Sequence, residues 1–305
     1  RSELYKDLAI SASERAIKIN DKFPEGYISR ANILTLLGKL DEAYNFNVKA
    51  SKLNSLVGGN ENNALIAKWR GDLSEALKWY QKIPKKENQH EGKALVELSN
   101  IYYLLGKKQK AKKLVELGLK NQPNSFDYNQ FFIIYESFEK NKVIARKYVY
   151  RLQMLRPNDS RVNTITGLYY LWFRDYNKSL SYFQKVKFPW LEDKIAIAYI
   201  LRQKWGKKWS DTILDEVYEK YTLRIENGDI LSQTSLNISM IFAIKEDFEK
   251  AFFWLEKSVD QGFLWVNFLA IDPRFDKMKN DKRFNSILEK IKLKLITENN
   301  KVDSL

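Results

Sequence analysis

The chain has 305 residues and a formal net charge of +14. Hydrophobic residues make up 44% and charged residues 30%, which leaves enough apolar side chain to fill a continuous core. The absence of cysteine excludes disulfides, thiolate nucleophiles and cysteine metal sites. No apolar run reaches the roughly 20 residues that a membrane-spanning helix needs, so we expect no membrane insertion of this segment.

The sequence offers little material for catalysis. Its single histidine, His90, stands in the polar stretch from Lys85, where a solvated side chain is a better explanation than a metal ligand or a general base. Acidic residues such as Asp41 and Glu42 stand at predicted helix starts, where the helix dipole explains them. Because no compact cluster of carboxylates supports a glycosidase or a metal hydrolase, we predict a non-catalytic protein without metal or cofactor.

In chain order, the first complete unit runs from Tyr27 to Asn54 and predicts two short amphipathic helices. In its first half Ala31 and Leu34 follow Tyr27 at four- and three-residue spacing, which predicts one apolar helix face. Gly38 suits the left-handed position that ends a helix. In the second half, the small side chain of Ala43 would let the two helix axes approach closely.

The same small residue recurs along the chain at separations of 33, 35, 34, 34 and then 72 residues. The positions are Ala43, Ala76, Ala111, Ala145, Ser179 and Ala251. A period near 34 is that of the tetratricopeptide repeat, a pair of helices.

The chain resembles the tetratricopeptide-repeat family at this period and at several motif positions. These are the turn glycines Gly38, Gly71, Gly106 and Gly206, the prolines Pro123 and Pro157, and the tyrosines Tyr102 and Tyr170. Two departures are Arg174 and Glu246, which stand where a turn glycine would be. The resemblance implies an all-α fold, a right-handed superhelical α-solenoid of about seven helix pairs with a C-terminal capping segment.

The predicted array covers residues 1–262, and each repeat is expected to contact only its neighbours. Its divisions are a partial repeat at 1–24, repeats at 25–56, 57–90, 91–124, 125–158 and 159–190, a degenerate repeat at 191–230 and a last repeat at 231–262. Residues 263–305 are predicted to be a cap and tail, in which Phe284, Ile287 and Ile291 share the face that closes the last repeat. The polar tail from Thr297 onward is expected to fray.

The end of the chain carries a further resemblance. The sequence AFFWLEKSVDQGF, followed by LAIDPRFDKMKNDKRFNSILEKI, is similar to the carboxyl-terminal end of tetratricopeptide regions in bacterial signalling proteins, including transcription activators. In those relatives the array is the sensing or partner-binding part. The resemblance implies a protein-interaction or sensing scaffold within a larger bacterial regulatory protein, whose output domain would precede Arg1. The compartment stays open between the cytoplasm and the periplasm.

In such an array, stacked first helices line a concave groove. We expect a peptide or protein partner there, because amide and charged side chains facing the groove can bind its backbone and charged groups. A carboxylate clamp of the kind known in the family does not fit, since Ile28 and Glu97 stand near where lysine and arginine are required. The expected groove residues are Asn32, Asn62, Lys68, Lys93, Glu97, Asn100, Tyr103, Gln130 and Arg161.

The positive charge supports one alternative, a nucleic-acid-binding helical array. The lysines are scattered, with denser groups at Lys107 to Lys113 and at Lys204, Lys207 and Lys208, and such groups are usually solvated faces. The polar groove residues also lack the regular code with which some solenoids read RNA. We therefore expect nucleic acid to bind only non-specifically and in a salt-sensitive way.

Overall fold

The structure, a computed structural model, describes residues 2–54, 59–82 and 91–304, with side chains for all of these except 2–6 and 91–93. These residues form helices and turns, with no strand among them. The α-helices are α1 (Ser2–Ile19), α2 (Pro24–Leu36), α3 (Leu40–Leu53), α4 (Gly59–Trp69), α5 (Leu73–Gln81), α6 (Glu91–Leu104), α7 (Lys108–Asn121), α8 (Phe126–Phe138), α9 (Lys142–Leu155), α10 (Ser160–Trp172), α11 (Tyr176–Phe183), α12 (Leu191–Trp205), α13 (Asp211–Glu226), α14 (Ser232–Lys245), α15 (Phe248–Asp260), α16 (Val266–Ile271) and α17 (Lys282–Asp303). Short 3₁₀ helices at Lys207–Trp209 and Pro273–Met278 precede α13 and α17.

The helices from α2 to α15 pack in successive pairs, α2 with α3 through α14 with α15. Each pair also contacts the next, as α3 contacts α4 and α11 contacts α12. The described part of the chain is therefore an all-α superhelical solenoid with seven helix pairs, which confirms the predicted fold.

The small residues of the repeat lie where the two helices of a pair meet. All six are fully buried: Ala43, Ala76, Ala111, Ala145, Ser179 and Ala251. Where serine replaces alanine, the hydroxyl of Ser179 donates a hydrogen bond of 2.8 Å to the carbonyl of Gly167 on the partner helix. The interpretation of these residues as a requirement for close packing is confirmed.

A left-handed residue joins the helices in six of these pairs. In the first three it is glycine, at Gly38, Gly71 and Gly106, with φ of 74°, 80° and 75°. In three later pairs a residue with a side chain adopts the same conformation, at a cost of about 1–2 kcal/mol each. These residues are Lys140, Arg174 and Glu246, with φ of 61°, 59° and 67°.

Gly206 differs from the turn glycines with which the sequence pattern groups it. Its φ of 89° and ψ of −176° lead into the 3₁₀ helix Lys207–Trp209 instead of directly into a second helix. The sixth pair, α12 with α13, is therefore joined by a longer turn.

The solenoid closes on itself, because the C-terminal repeats contact the first ones. The amide of Ile230 donates to the carbonyl of Gly38 at 3.3 Å. Gly262 lies against the turn between α4 and α5, so closely that a Cβ on Gly262 would stand 2.2 Å from the carbonyl carbon of Arg70. The expectation that each repeat contacts only its neighbours is therefore wrong.

Helix α17 completes this closure. It packs against α15 of the last pair, as a cap would, and also against α5 of the second pair. The carboxylate of Glu298 is buried and accepts a hydrogen bond of 2.9 Å from the amide of Ser74, and Lys107 binds Asp303 at 2.7 Å. The expected fraying after Thr297 is wrong, because these contacts hold the helix through Asp303.

One hydrophobic cluster crosses the closure. It contains Leu77 and Leu105 from the second and third pairs, Leu255 from the last pair, and Ile291 from α17. Because these apolar side chains share one core, the closure buries apolar surface in addition to forming hydrogen bonds.

Replacing Ala111 by leucine is expected to destabilise the protein by about 1–3 kcal/mol, because the fully buried site between α6 and α7 has no room for the larger side chain. The measurement is the free energy of unfolding from denaturant titration. Lys113→Leu, on the exposed side of the same helix, is the control and should change stability by less than about 0.5 kcal/mol. Equal effects of the two changes would contradict the packing role.

A comparison of Gly38→Ala with Gly106→Ala distinguishes the effect of the closure on stability from the effect of the turn conformation. Both place a side chain at nearly the same positive φ, a cost of about 1–2 kcal/mol. A Cβ at position 38 would also stand 2.6 Å from the Cα of Asp229, whereas one at position 106 meets nothing within 4 Å.

We therefore expect Gly38→Ala to lower stability further than Gly106→Ala does. It should also speed amide hydrogen exchange in residues 227–234 selectively. The carboxylate of Asp229 cannot move aside freely, since it accepts hydrogen bonds from Leu231 and Thr234. Identical exchange in the two variants would show that the contact does not hold the solenoid closed.

Candidate partner-binding site

The expected groove residues begin with a pair of asparagines on neighbouring first helices. The side-chain amide of Asn62 on α4 donates to the side-chain oxygen of Asn32 on α2 at 2.9 Å. Asn32 is exposed and Asn62 is half-buried, so the pair faces solvent on one side. The structure thus brings these two predicted residues together.

The next predicted residues form a charged cluster on α4 and α6. Lys68 donates to a carboxylate oxygen of Glu97, and Asn100 donates to the same oxygen at 3.4 Å. The side chains of Lys68 and Glu97 are only 12% and 17% exposed. This shielding strengthens their attraction and fixes the cluster.

Tyr103 lies under the protein's own C-terminal segment. Its ring stacks on Trp265 at 6.1 Å, its hydroxyl donates to Glu139 at 2.8 Å, and it accepts a hydrogen bond from Asn267. Burial first, and the hydrogen bond to Glu139 second, raise the pKa of this phenol well above its ordinary value. The expectation that Tyr103 faces an open groove needs correction, because α16 covers it.

The same segment fills the inner surface further along. Phe138 contacts Trp265 at 6.0 Å and Phe268 at 6.5 Å, measured between ring centroids. Trp172 donates from its indole nitrogen to Asp272 at 3.2 Å. Residues 265–272 therefore cover the C-terminal ends of α8 and α10.

The remaining predicted residues lie apart from the asparagine pair. Gln130 is half-buried on α8. Arg161 binds Asp159 at 2.9 Å and stands 4.6 Å above the ring of Phe126, at the start of α10. The side chain of Lys93 and all of His90 lie outside the described residues.

A cavity of about 360 Å³ adjoins the charged cluster. Lys68, Trp69 and Leu104 line one wall, and Glu192, Arg224 and Gln233 lie among the residues of the other. These two walls come from early and late repeats, so the closure of the solenoid creates the cavity.

A hydrogen-bond network holds the far wall. Glu192 accepts from the hydroxyl of Tyr221 at 2.9 Å and from the amide of Asn237 at 3.0 Å. Burial and the neighbouring charge of Glu192 raise the pKa of Tyr221. Tyr221 therefore remains a neutral donor, and the carboxylate beside the cavity keeps a fixed position.

The sequence did not indicate these far-wall residues, because they lie more than 100 positions from Lys68. A larger open groove of about 780 Å³ runs outside the closure, beside Gly71, Lys290 and Leu293. Much of its lining comes from the solvent-facing side of α17. It does not adjoin the asparagine pair.

The first dense group of lysines is partly structural. Lys107 binds Asp303 at 2.7 Å, and Lys108 binds Glu139 at 2.7 Å. The interpretation of this group as a solvated face is therefore incomplete. In the described residues no set of three or more histidine, aspartate or glutamate side chains is placed to hold a metal ion, and no helix has the length and apolar character needed to cross a membrane.

The tetratricopeptide-repeat family model matches residues 92–125, which contain α6 and α7. Yeast Tom70 is similar in structure over 93% of this chain and 62% of its own, at 13% identity and a TM-score of 0.53. This chain thus spans less than two thirds of Tom70, and the similarity shows the fold alone.

Two other solved structures are similar to parts of the fold. A tetratricopeptide repeat protein from Parabacteroides merdae matches 88% of this chain and 98% of its own, at 13% identity and a TM-score of 0.45. YrrB, described as a TPR protein with an unusual peptide-binding site, matches 57% of this chain and 90% of its own, at 19% identity and a TM-score of 0.39. No curated protein matches the sequence significantly.

Trp265→Ala should destabilise the protein by about 2 kcal/mol, less than the ~3–5 kcal/mol typical of a fully buried tryptophan because this side chain is half-buried. It should also raise the accessibility of Tyr103 to chemical modification. Phe253→Ala, which removes an aromatic residue 60% exposed on α15, is the control. If Tyr103 reacted equally in both variants, α16 would not be its cover.

Proposed function

We propose that this tetratricopeptide-repeat protein is a non-catalytic protein-interaction scaffold, and that its inner surface from α2 to α6 holds an extended segment of a partner protein. The tetratricopeptide fold supports the general role, since repeats of this kind stack into extended concave surfaces that bind partners. The proposed site consists of Asn32 and Asn62, the cluster of Lys68, Glu97 and Asn100, and the adjoining cavity.

The asparagine pair is the observation that carries the proposal. The hydrogen bond between the two side chains uses the amide of Asn62 and the oxygen of Asn32. It leaves the amide of Asn32 and the oxygen of Asn62 without a hydrogen bond to other described residues. One donor and one acceptor side by side match the carbonyl and amide of a single peptide unit, whatever the partner's side chains.

The cavity would receive side chains of that segment. Its volume of about 360 Å³ falls within the ~300–1,000 Å³ typical of ligand pockets. Trp69 and Leu104 supply apolar contact, whereas Lys68, Glu192 and Arg224 can orient a polar or charged group. Lys68 and Glu192 are already held by other side chains of the protein. The charged groups of the cavity therefore need not move when the partner's side chain enters.

The wider context of the proposal is a bacterial regulatory protein, of which this chain would be the sensing or partner-binding part. This rests on the resemblance of residues 251–263 and 269–291 to the ends of such regions. The structure gives those residues another task as well, because they close the solenoid.

The test uses peptides selected from a random phage-displayed library on the immobilised full chain. Calorimetry with the synthetic peptides then compares the wild-type chain with the Asn32→Ala/Asn62→Ala double variant. Each lost hydrogen bond contributes about 1 kcal/mol, so binding should weaken at least tenfold.

Lys113→Ala/Lys120→Ala is the control, since both lysines are exposed on the outer helix α7. It should leave peptide binding unchanged. Peptides that bind the asparagine variant as tightly as the wild type, or a library that yields no binder, would contradict the proposed site.

A further inference from the structure

The turn between α12 and α13 exposes two tryptophans. Trp205 is 52% exposed and Trp209 is 59% exposed, and their ring centroids are 5.9 Å apart. Every residue from 203 to 209 is exposed, a run that ends at the fully buried Ser210. We name Trp205, Lys207, Lys208 and Trp209 the tryptophan–lysine tip.

The backbone explains why the tip projects. Gly206 ends α12 at a φ of 89°, and the short 3₁₀ helix then presents Trp209 beside Trp205. A Cβ on Gly206 would meet nothing within 4 Å, so no other described element covers the turn. Two large apolar rings thus stand in water, whereas most aromatic residues of the solenoid are buried or half-buried.

The tip also carries uncompensated positive charge. Lys207 and Lys208 are exposed, and no described carboxylate lies within ion-pairing distance of either. Lys204 adds a third ammonium, which donates to the side-chain oxygen of Asn177 at 2.6 Å and lies 5.1 Å from the ring of Trp205. Because none of these three lysines forms an ion pair with a described carboxylate, they can attract an anionic partner.

The neighbouring acids are already bound to other cations. Asp211 pairs with Arg202 at 2.8 Å, and Asp215 pairs with Lys245. Glu246 is bound by Lys277, and this hydrogen bond is the main cause of its lowered pKa, with smaller contributions from the charges of Arg202 and Lys207. The net field at the tip is therefore positive.

We propose that the tryptophan–lysine tip docks on the surface of an anionic phospholipid bilayer. An indole has an apolar body and one polar N–H group, which suits the boundary between headgroups and acyl chains. Lysines near an anionic leaflet add electrostatic attraction, and the net charge of +14 acts in the same direction. This peripheral contact requires no membrane-spanning helix.

Single-stranded nucleic acid would use the same residue types differently. It is bound along a groove that follows the phosphate backbone and offers successive stacking platforms. The tip instead is a projecting turn with two adjacent rings inclined at 56°. A projecting pair of rings fits a bilayer surface better than a strand.

The experiment is co-flotation of the full chain with vesicles of phosphatidylcholine alone or mixed with phosphatidylglycerol. We expect binding only to the mixed vesicles, weakening as salt is added. Trp205→Ala/Trp209→Ala and Lys207→Ala/Lys208→Ala should each reduce binding at least tenfold. Circular dichroism and the melting temperature should stay unchanged, because these side chains are exposed.

The matched control is Phe188→Ala/Trp190→Ala, which removes two aromatic residues 87% and 72% exposed at the other end of α12. It should bind the mixed vesicles like the wild type. Equal loss in the control and tip variants, unchanged binding in the tip variants, or equal binding to uncharged vesicles would overturn the proposal. So would tip-dependent binding of a single-stranded oligonucleotide without vesicle binding.

Discussion

The contact between Gly262 and the turn at Gly71 determines the shape of the protein. A Cβ on Gly71 would stand 3.1 Å from the Cα of Gly262, so the two backbones nearly touch. Only glycine permits this approach, because any side chain at position 262 would overlap the carbonyl group of Arg70. The late repeats consequently reach the early ones, and the open superhelix of an ordinary array becomes a closed one.

Four of the six residues at the left-handed turns take part in the closure, in two different ways. Gly38 and Gly71 lie against the backbone of later repeats, at Asp229 and Gly262 respectively, and a side chain at either glycine would crowd that backbone. Arg174 instead uses its guanidinium to bind Asp276 at 3.0 Å and the carbonyl of Ile271 at 3.0 Å.

Glu246 works in the same way as Arg174, through an ion pair of 3.1 Å with Lys277. Each of these two turns accepts a strained backbone conformation, and its side chain then ties the segment 271–277 to the array. The departures from the glycine pattern at Arg174 and Glu246 are therefore part of the closure and not a decay of the repeat.

Local periodicity explains how much the sequence could predict. The recurrence of Ala43, Ala111 and Ala145 predicts helix pairs, because each of these small residues contacts the other helix of the same repeat, which is close in sequence. Contacts between distant repeats leave no such period. Glu298 belongs to a segment whose polar composition predicts a solvated tail. Its carboxylate is nevertheless buried and accepts a hydrogen bond from the amide of Ser74, 224 positions away.

In the candidate site, too, contacts between neighbouring repeats could be predicted and contacts between distant repeats could not. Asn32 and Asn62 lie on neighbouring helices, and their proximity could be predicted from the repeat alignment. The covering of Tyr103 could not be predicted, since Trp265 and Asn267 belong to a segment that the sequence predicts only to be a cap. In the same segment, the buried carboxylate of Asp272 binds Arg274 at 2.7 Å and accepts a hydrogen bond from the indole of Trp172.

Closure also limits how a partner can bind. In an open array the groove would offer aromatic contacts along several first helices, but Trp265 and Phe268 already contact Phe138 of α8, and Asp272 binds Trp172 of α10. The inner surface that remains between α2 and α6 is mainly polar, and its apolar contact is confined to the cavity beside Trp69 and Leu104. Hydrogen bonds to a peptide backbone replace bonds to water and therefore add only about 0.5–1.5 kcal/mol each. A partner held chiefly by such bonds at the proposed site would bind with modest affinity, and most of its specificity would come from the one or two side chains that enter the cavity.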